Sequence, residues 1–476
     1  MNTRMMVAVC ALALAFAGCP TTPGNNDSGT SDGGGTTPQT VAVNEDITAD
    51  TTWVTGNTYI LGKHVYVGDG ELTATVTTLT IQPGVTIKGG AGTSLVVTRN
   101  GQLNAVGTQA KPIVFTSDKA AGNRTRGDWG GVVLLGRAEA NFSAASDGGA
   151  AQGEAYIEGF PAAGRKTLYG APATERKTDW KCGELSYVRI EFAGYQLAPN
   201  NELNSLTMGA CGTGTSLDYV QVHKGLDDGI ECFGGAARIK HAVISAHLDD
   251  GLDWDNGFQG KVQFLIVSQE PAFGACGIEA DNDASGSNNQ PQSNPEVWNA
   301  TFMGRALNPP ASEDGNSNRG IHLRRNTNLR MGNTIVTGFG TIGLQVESSG
   351  TANALDGGFG YLKNSIFYKN PAEGWTNDVI GLSDGGTTTV GNLSDGGSQD
   401  NFFDEAAYLA SQGNRNVDPG LPTFNPAEPN MKPATGAAAL TGGANPPSDS
   451  FFEQVTFVGA VGATDWTTGW TAYPAD

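Results

Sequence analysis

Five short stretches of this chain place acids and bases at matched positions. They are Gly229-Ile-Glu-Cys-Phe233, Gly251-Leu-Asp-Trp-Asp255, Gly277-Ile-Glu-Ala-Asp281, Gly320-Ile-His-Leu-Arg324 and Gly343-Leu-Gln-Val-Glu347. Aligned, their third positions read Glu231, Asp253, Glu279, His322 and Gln345. Their fifth positions read Phe233, Asp255, Asp281, Arg324 and Glu347. On adjacent strands, about 4.8 Å apart, such carboxylates repel one another and call for a proton or a cation. Asp227, Asp228, Asp249 and Asp250, from two Asp-Asp-Gly turns, add acid at the adjoining corner. Hard oxygen donors in this number suit Ca²⁺. Asp281-Asn-Asp-Ala-Ser-Gly286 also spaces Asp281, Asp283 and Ser285 like the opening half of a calcium loop. Its twelfth position is Gln292, so it is no complete EF-hand. The candidate Ca²⁺ ligands are therefore Asp253, Asp255, Glu279, Asp281, Asp283 and Ser285. The competing interpretation is a set of solvated turn acids, common in Asp-Gly repeats.

The same stretches hold candidate catalytic groups. Asp253 and Glu279 are candidates for the acid and base of a glycoside hydrolase. His322 and Arg324, one stretch further on, could move a proton or steady a developing charge. Against this, histidines and arginines on a sheet surface are commonly structural, and no hydrolase motif matches here.

These residues need a repeating scaffold, and the chain contains one. A pattern of apolar, any, ring or Asn, small or apolar, any, apolar recurs. It reads Leu185-Ser-Tyr-Val-Arg-Ile190, Leu217-Asp-Tyr-Val-Gln-Val222, Ile239-Lys-His-Ala-Val-Ile244 and Val262-Gln-Phe-Leu-Ile-Val267. It continues through Val297-Trp-Asn-Ala-Thr-Phe302, Met331-Gly-Asn-Thr-Ile-Val336 and Leu362-Lys-Asn-Ser-Ile-Phe367, with starts 22 to 35 residues apart. That period is a solenoid signature, and six residues of strand chemistry are too few for a helical repeat. The acid-bearing stretches begin 12 residues after Leu217, Ile239 and Met331, so a second strand repeats in phase with the first. The expected fold is all-β, a right-handed parallel β-helix with loop insertions.

Upstream, Leu79-Thr-Ile-Gln-Pro-Gly-Val-Thr-Ile-Lys88, Ser94-Leu-Val-Val-Thr98, Lys111-Pro-Ile-Val-Phe-Thr116 and Asp128-Trp-Gly-Gly-Val-Val-Leu-Leu135 are short strands between Gly-rich turns. They resemble the opening coils of pectate-lyase-like β-helix proteins. Gly127-Asp-Trp-Gly-Gly131, Asn200-Asn-Glu-Leu-Asn204, Asp253-Trp-Asp-Asn-Gly257 and His322-Leu-Arg-Arg-Asn326 resemble, more narrowly, a group of bacterial surface β-helix lipoproteins. The resemblance spans roughly residues 45 to 470 and speaks to fold and location more than to activity. It implies a polysaccharide lyase as one alternative, in which calcium-binding acids work beside a basic residue such as His322 or Arg324.

Other features bear on location. Met1-Asn-Thr-Arg4, an apolar run to Phe16 and Ala17-Gly-Cys19 form an export signal, and the cysteine after the small pair resembles a bacterial lipobox. Cys19 is the expected lipidation site, holding the protein to the outer membrane or cell surface. The expected organisation is a signal at 1–18, a Thr/Pro/Gly-rich tether at 19–43, the β-helix at 44–400, and a helix near 401–412 followed by a segment capping the last coil to 476. The chain has 48 acidic against 28 Lys and Arg residues, a net charge of −20, which makes nucleic acid an unsuitable partner. In an exported protein Cys182, Cys211, Cys232 and Cys276 are disulfide candidates. Cys182–Cys211 is the expected bridge, because both precede neighbouring strands. The state of Cys232 and Cys276 is open.

Three insertions, Glu270 to Gly274, Asn282 to Pro295 and Arg305 to Asn318, are expected between the first and second strands, walling a groove beside the acids. Trp254 is expected to face inward. Phe233, Phe258 and Trp298 are candidates for stacking on a sugar. Three functions fit: non-catalytic binding of a glycan or envelope partner, polysaccharide cleavage, or a structural accessory role in an outer-membrane complex.

Overall fold

Alternation along the repeat strands buries two stacks of side chains. In the computed structural model, Leu185, Leu217, Ile239, Val262, Val297, Met331 and Leu362 follow one another at paired positions, as do Leu206, Ile230, Leu252, Ile278, Ile321 and Leu344 on the opposite wall. All of them belong to one continuous core. Each such side chain contributes about 1.5–3 kcal/mol by leaving water. The described residues are 37–73, 75–142, 153–198, 201–305, 318–340, 342–368, 405–422 and 429–476. Among them, one parallel sheet has 16 strands and a second has nine, and the chain alternates between the two as a right-handed parallel β-helix.

The ring-or-Asn position of the repeat is a corner. Tyr187, Tyr219, His241, Phe264, Asn299, Asn333 and Asn364 all have φ between 49° and 60°. The ladder pairs residues on either side of each one and skips it. Each six-residue motif is therefore two short strands meeting at a left-handed residue. Asn tolerates this backbone, and the rings offset its cost by stacking. Tyr187 lies 4.5 Å from Tyr219, Tyr219 4.4 Å from His241, and His241 4.8 Å from Phe264.

Two boundaries differ from the sequence-based expectation. A strand at Thr40–Val43 pairs in register with Thr58–Leu61, so the β-helix begins inside the stretch assigned to the tether. The C-terminal segment does more than cap. The helix Glu405–Ser411 inserts Tyr408 and Leu409 into the end of the core, as a cap would. The segment after it runs back along the outer face of the first sheet. Gln263 and Gln221 each hold it through two hydrogen bonds, to the backbones of Glu453 and Ala472. Asn299 donates to the Phe457 carbonyl, and Trp470 packs beside Val243 and Ile266. Polar side chains facing outward from the strands supplied these partners, which no local pattern announces.

Cys182 and Cys211 are joined by a disulfide, while Cys232 and Cys276 are buried free thiols. Cys19, with the rest of residues 1–36, lies outside the described residues.

Candidate acidic site

The site grows from the turns that start the second-sheet strands. Gly251 has no room for a Cβ, which would stand 2.5 Å from Val267 and 2.6 Å from the Gly277 carbonyl. That close packing presents the residue before each such turn to the next coil. Asn204 Oδ1 accepts from the Asp228 N–H, Asp228 Oδ1 from the Asp250 N–H, and Asp250 Oδ1 from the Cys276 N–H. These side chains form a ladder along the corner, each capping the same position one coil on.

From this corner the strands carry the acids in the expected columns. Glu231 stands opposite Asp253, Asp253 opposite Glu279, Glu279 opposite His322, and His322 opposite Gln345. Among the described residues, carboxylate oxygens approach within 4.8 Å of one another in three groups: Asp227, Asp228 and Asp249; Asp228, Glu231 and Asp253; Asp250, Asp253 and Glu279. The shared members make one continuous trough. Asn204 Nδ2 bridges Glu231 to Glu158, which comes from a distant hairpin and carries no local signal for a place in the trough. Asp253 Oδ1 is buried without a hydrogen-bond partner.

Electrostatics divide the trough into two ends. Burial, followed by repulsion from neighbouring acids, pushes Asp227, Asp228, Glu231, Asp250 and Asp253 well above the usual carboxylate range. Burial and the charge of Asp281 raise Asp255 to about 7. At the other end, burial works against ionisation of Glu279, but the hydrogen bond from His322 and the charge of Arg324 outweigh it and hold Glu279 below its ordinary value. Arg324 donates to Asp281 at 2.9 and 2.6 Å and approaches Glu279 at 2.5 Å.

Several expected ligands are engaged elsewhere. Asp281 is held by Arg324 and Arg325, the latter at 2.7 Å. Asp283 accepts from the N–H groups of Ser285 and Ser287 and from both hydroxyls, so the loop closes on itself. Neither Asp281 nor Asp283 belongs to a converging group, and Asp255 accepts from the Asn256 N–H. Of the six candidate ligands, the structure brings together Asp253 and Glu279. His322 and Arg324 are paired with carboxylates rather than exposed on an open sheet.

The expected aromatic platforms are absent from the surface. Phe233, Phe258 and Trp298 are buried, like Trp254. Phe233 lies in a second core built when the hairpin Glu154–Tyr156 and Leu168–Gly170 folds over the outer face of the second sheet, bringing Ala155, Phe160 and Tyr169 onto Val133 and Leu135. That insertion covers the earlier coils and reaches the first acid-bearing strand, where Tyr169 packs on Phe233. The loop Asn282–Pro295 also differs from expectation: it follows the strand Cys276–Ala280 and precedes Glu296–Met303, so it lies after the second strand. Residues 306–317 of the third insertion fall outside the described residues. Two clefts, of about 600 and 530 Å³, lie away from the trough, lined by residues such as Asp50 and Asn100, and Arg99 and Glu154.

A family model described as a pectate-lyase like beta helix domain matches residues 45–405. No curated protein and no solved structure matches the chain.

Proposed function

Since the chain belongs to the family of pectate-lyase-like beta helix domains, a fold that hosts enzymes and binding proteins alike, we propose that it is a non-catalytic, lipid-anchored envelope protein whose acidic trough holds Ca²⁺ and, through it, binds a glycan. One observation carries this: Asp250, Asp253 and Glu279, from two successive coils, bring carboxylate oxygens within 4.8 Å of one another. Asp253 Oδ1 in that group lacks any partner. A buried acid cluster of this kind is costly unless protonated or neutralised, and a hard divalent cation neutralises two charges at once. Bound there, Ca²⁺ keeps coordination positions free for sugar hydroxyls or carboxylates. The lipid anchor rests on the Ala17-Gly18-Cys19 motif and the polar stretch after it.

The test is thermal unfolding with Ca²⁺ and with excess chelator, followed by glycan binding in both conditions. Ca²⁺ at about 100 times its Kd should stabilise the fold by about 2.7 kcal/mol. An unchanged midpoint would remove the calcium from this function. Incorporation of labelled fatty acid, lost in Cys19→Ala, tests the anchor.

A second function is favoured by the opposite shifts of Asp253, raised by burial and neighbouring acids, and Glu279, held down by His322 and Arg324 despite its burial, which stand opposite each other. A protonated acid beside an ionised one is the arrangement of a glycoside hydrolase. Sugar release from a polysaccharide, lost in Glu279→Gln, would establish such an enzyme; glycan binding by the wild type with no sugar release would exclude it.

A further inference from the structure

The last rung of the corner ladder is chemically unlike the others. Register carries Asn204, Asp228 and Asp250 onto Cys276 in the next coil, so a thiol stands where the earlier coils place an amide or carboxylate. That thiol is buried and bonds to Asp250. Its sulfur, a Glu279 oxygen and a ring nitrogen of His322 lie within 4.8 Å of one another.

The other donors of this group are already committed in a way that points the remaining ones inward. Glu347 Oε1 lies 2.7 Å from His322 Nε2, and Arg324 Nη2 lies 2.5 Å from Glu279 Oε2. This leaves His322 Nδ1 facing Glu279 Oε1 at 3.3 Å, with the sulfur beside them. That gap is wide for a charge-assisted hydrogen bond, which runs about 2.7–2.9 Å. It matches the separation, roughly 3.3 Å, of two donors each about 2.0–2.1 Å from one tetrahedral ion. An outer carboxylate on the far ring nitrogen is also how metal-bound histidines are oriented.

We propose that Cys276, Glu279 and His322 bind a thiophilic divalent cation of the Zn²⁺ class, whose fourth position is left to water. A thiolate and an imidazole select a borderline metal over Ca²⁺, so this site differs in kind from the all-oxygen group with which it shares Glu279. Binding displaces the thiol proton to solvent and puts the dication in the space between Nδ1, Oε1 and Sγ. Burial and the charges of Asp250 and Glu279 raise the Cys276 thiol well above its ordinary value, with Arg319 on the neighbouring strand opposing them, so the ion itself must displace the proton. Glu279 is 17% exposed and gives the ion its way in.

Co²⁺ and Zn²⁺ added to the chelator-treated protein test the site. One equivalent of Co²⁺ should give the near-ultraviolet sulfur-to-cobalt absorption of a thiolate complex and the strong visible bands of a tetrahedral one. Zn²⁺ should displace it. Cys276→Ser, nearly isosteric, should erase the sulfur band, and both it and His322→Gln should weaken Zn²⁺ binding by more than about 100-fold, beyond what loss of an outer partner costs. Far-ultraviolet dichroism of each variant reports the fold, and Cys232→Ser serves as the buried-thiol control that should change nothing. Cobalt bound without a sulfur band, or Zn²⁺ affinity equal in wild type and both variants, would overturn the proposal. The Ca²⁺-dependent midpoint of Cys276→Ser separates this result from the calcium site, since it should persist.

Discussion

Asp253 and Glu279 face each other across neighbouring strands, and their surroundings raise the first above the usual carboxylate range while holding the second below it. The shifts are opposite because the next strand brings His322 and Arg324 directly onto Glu279, whereas burial and the neighbouring acids Glu279, Asp281 and Asp250 outweigh the more distant Arg324 at Asp253.

This asymmetry sets the pH dependence of stability. Asp228, Glu231, Asp250, Asp253 and Asp255 have folded values raised above their unfolded ones, so each binds more protons when folded. Their stabilisation is complete below about pH 4 and is lost as pH rises, for Asp255 through about 7. Without divalent cations the unfolding free energy should fall by on the order of a few kcal/mol between pH 4 and 8. Ca²⁺ should flatten that decline. Denaturant titrations at each pH, with and without chelator, check both.

Asp253→Asn should stabilise the cation-free protein at pH 8 by about 1–3 kcal/mol, because it removes a buried charge from an acid cluster. The same substitution should reduce the gain that Ca²⁺ confers. A loss of stability in the presence of chelator would contradict the electrostatic account of the trough.

Asp283 is expected to behave in the opposite sense. Burial disfavours its charge, but bonds from Ser285 and Ser287 hold its value below the ordinary one. Its contribution is therefore present above about pH 4 and lost as pH falls. Asp283→Ala should cost about 1–3 kcal/mol at neutral pH by leaving those donors unpaired. Hydrogen exchange of the Ser285 and Ser287 amides would show whether the loop has opened.

At the corner of the coil, Asn333 combines a φ of 53° with bonds to the Ala444 carbonyl and N–H. Asn333→Val should destabilise by about 2–4 kcal/mol, from backbone strain and the lost tail contacts together. Asn333→Gly should recover the strain but not the contacts. Equal losses in the two variants would mean that the left-handed backbone carries no cost there.

The disulfide closes a segment with a sequence separation of 29. Its removal, as Cys182→Ala with Cys211→Ala, should lower stability by about 3–4 kcal/mol on the chain-entropy estimate. Reductant should have no further effect on that double variant.

Much of this architecture is legible in the repeat. The spacing of Leu217, Ile239 and Val262 gives the coil, and the 12-residue offset to Gly229 and Gly251 gives the second strand in its observed register. The column Glu231, Asp253, Glu279, His322, Gln345 was readable for the same reason, because side-chain alternation ties register to the apolar pattern. The ring-or-Asn position was visible too, but its left-handed backbone was not, since a Tyr or Phe carries no local signal for φ above zero.

What the sequence by itself determined is therefore the solenoid, the inward columns and the alignment of the acids, all consequences of a short period repeated along the chain. Only tertiary structure decided what those acids meet. Glu158 reaches Glu231 from a hairpin, the residues after Asn430 return over the first sheet, and Phe233 is hidden under Tyr169. Each pairing joins segments far apart in sequence, and its energy comes from burying surfaces against each other, which no window of neighbouring residues records. Proton affinity and solvent access at the trough depend on that packing, so they were decided by the fold rather than by the motif.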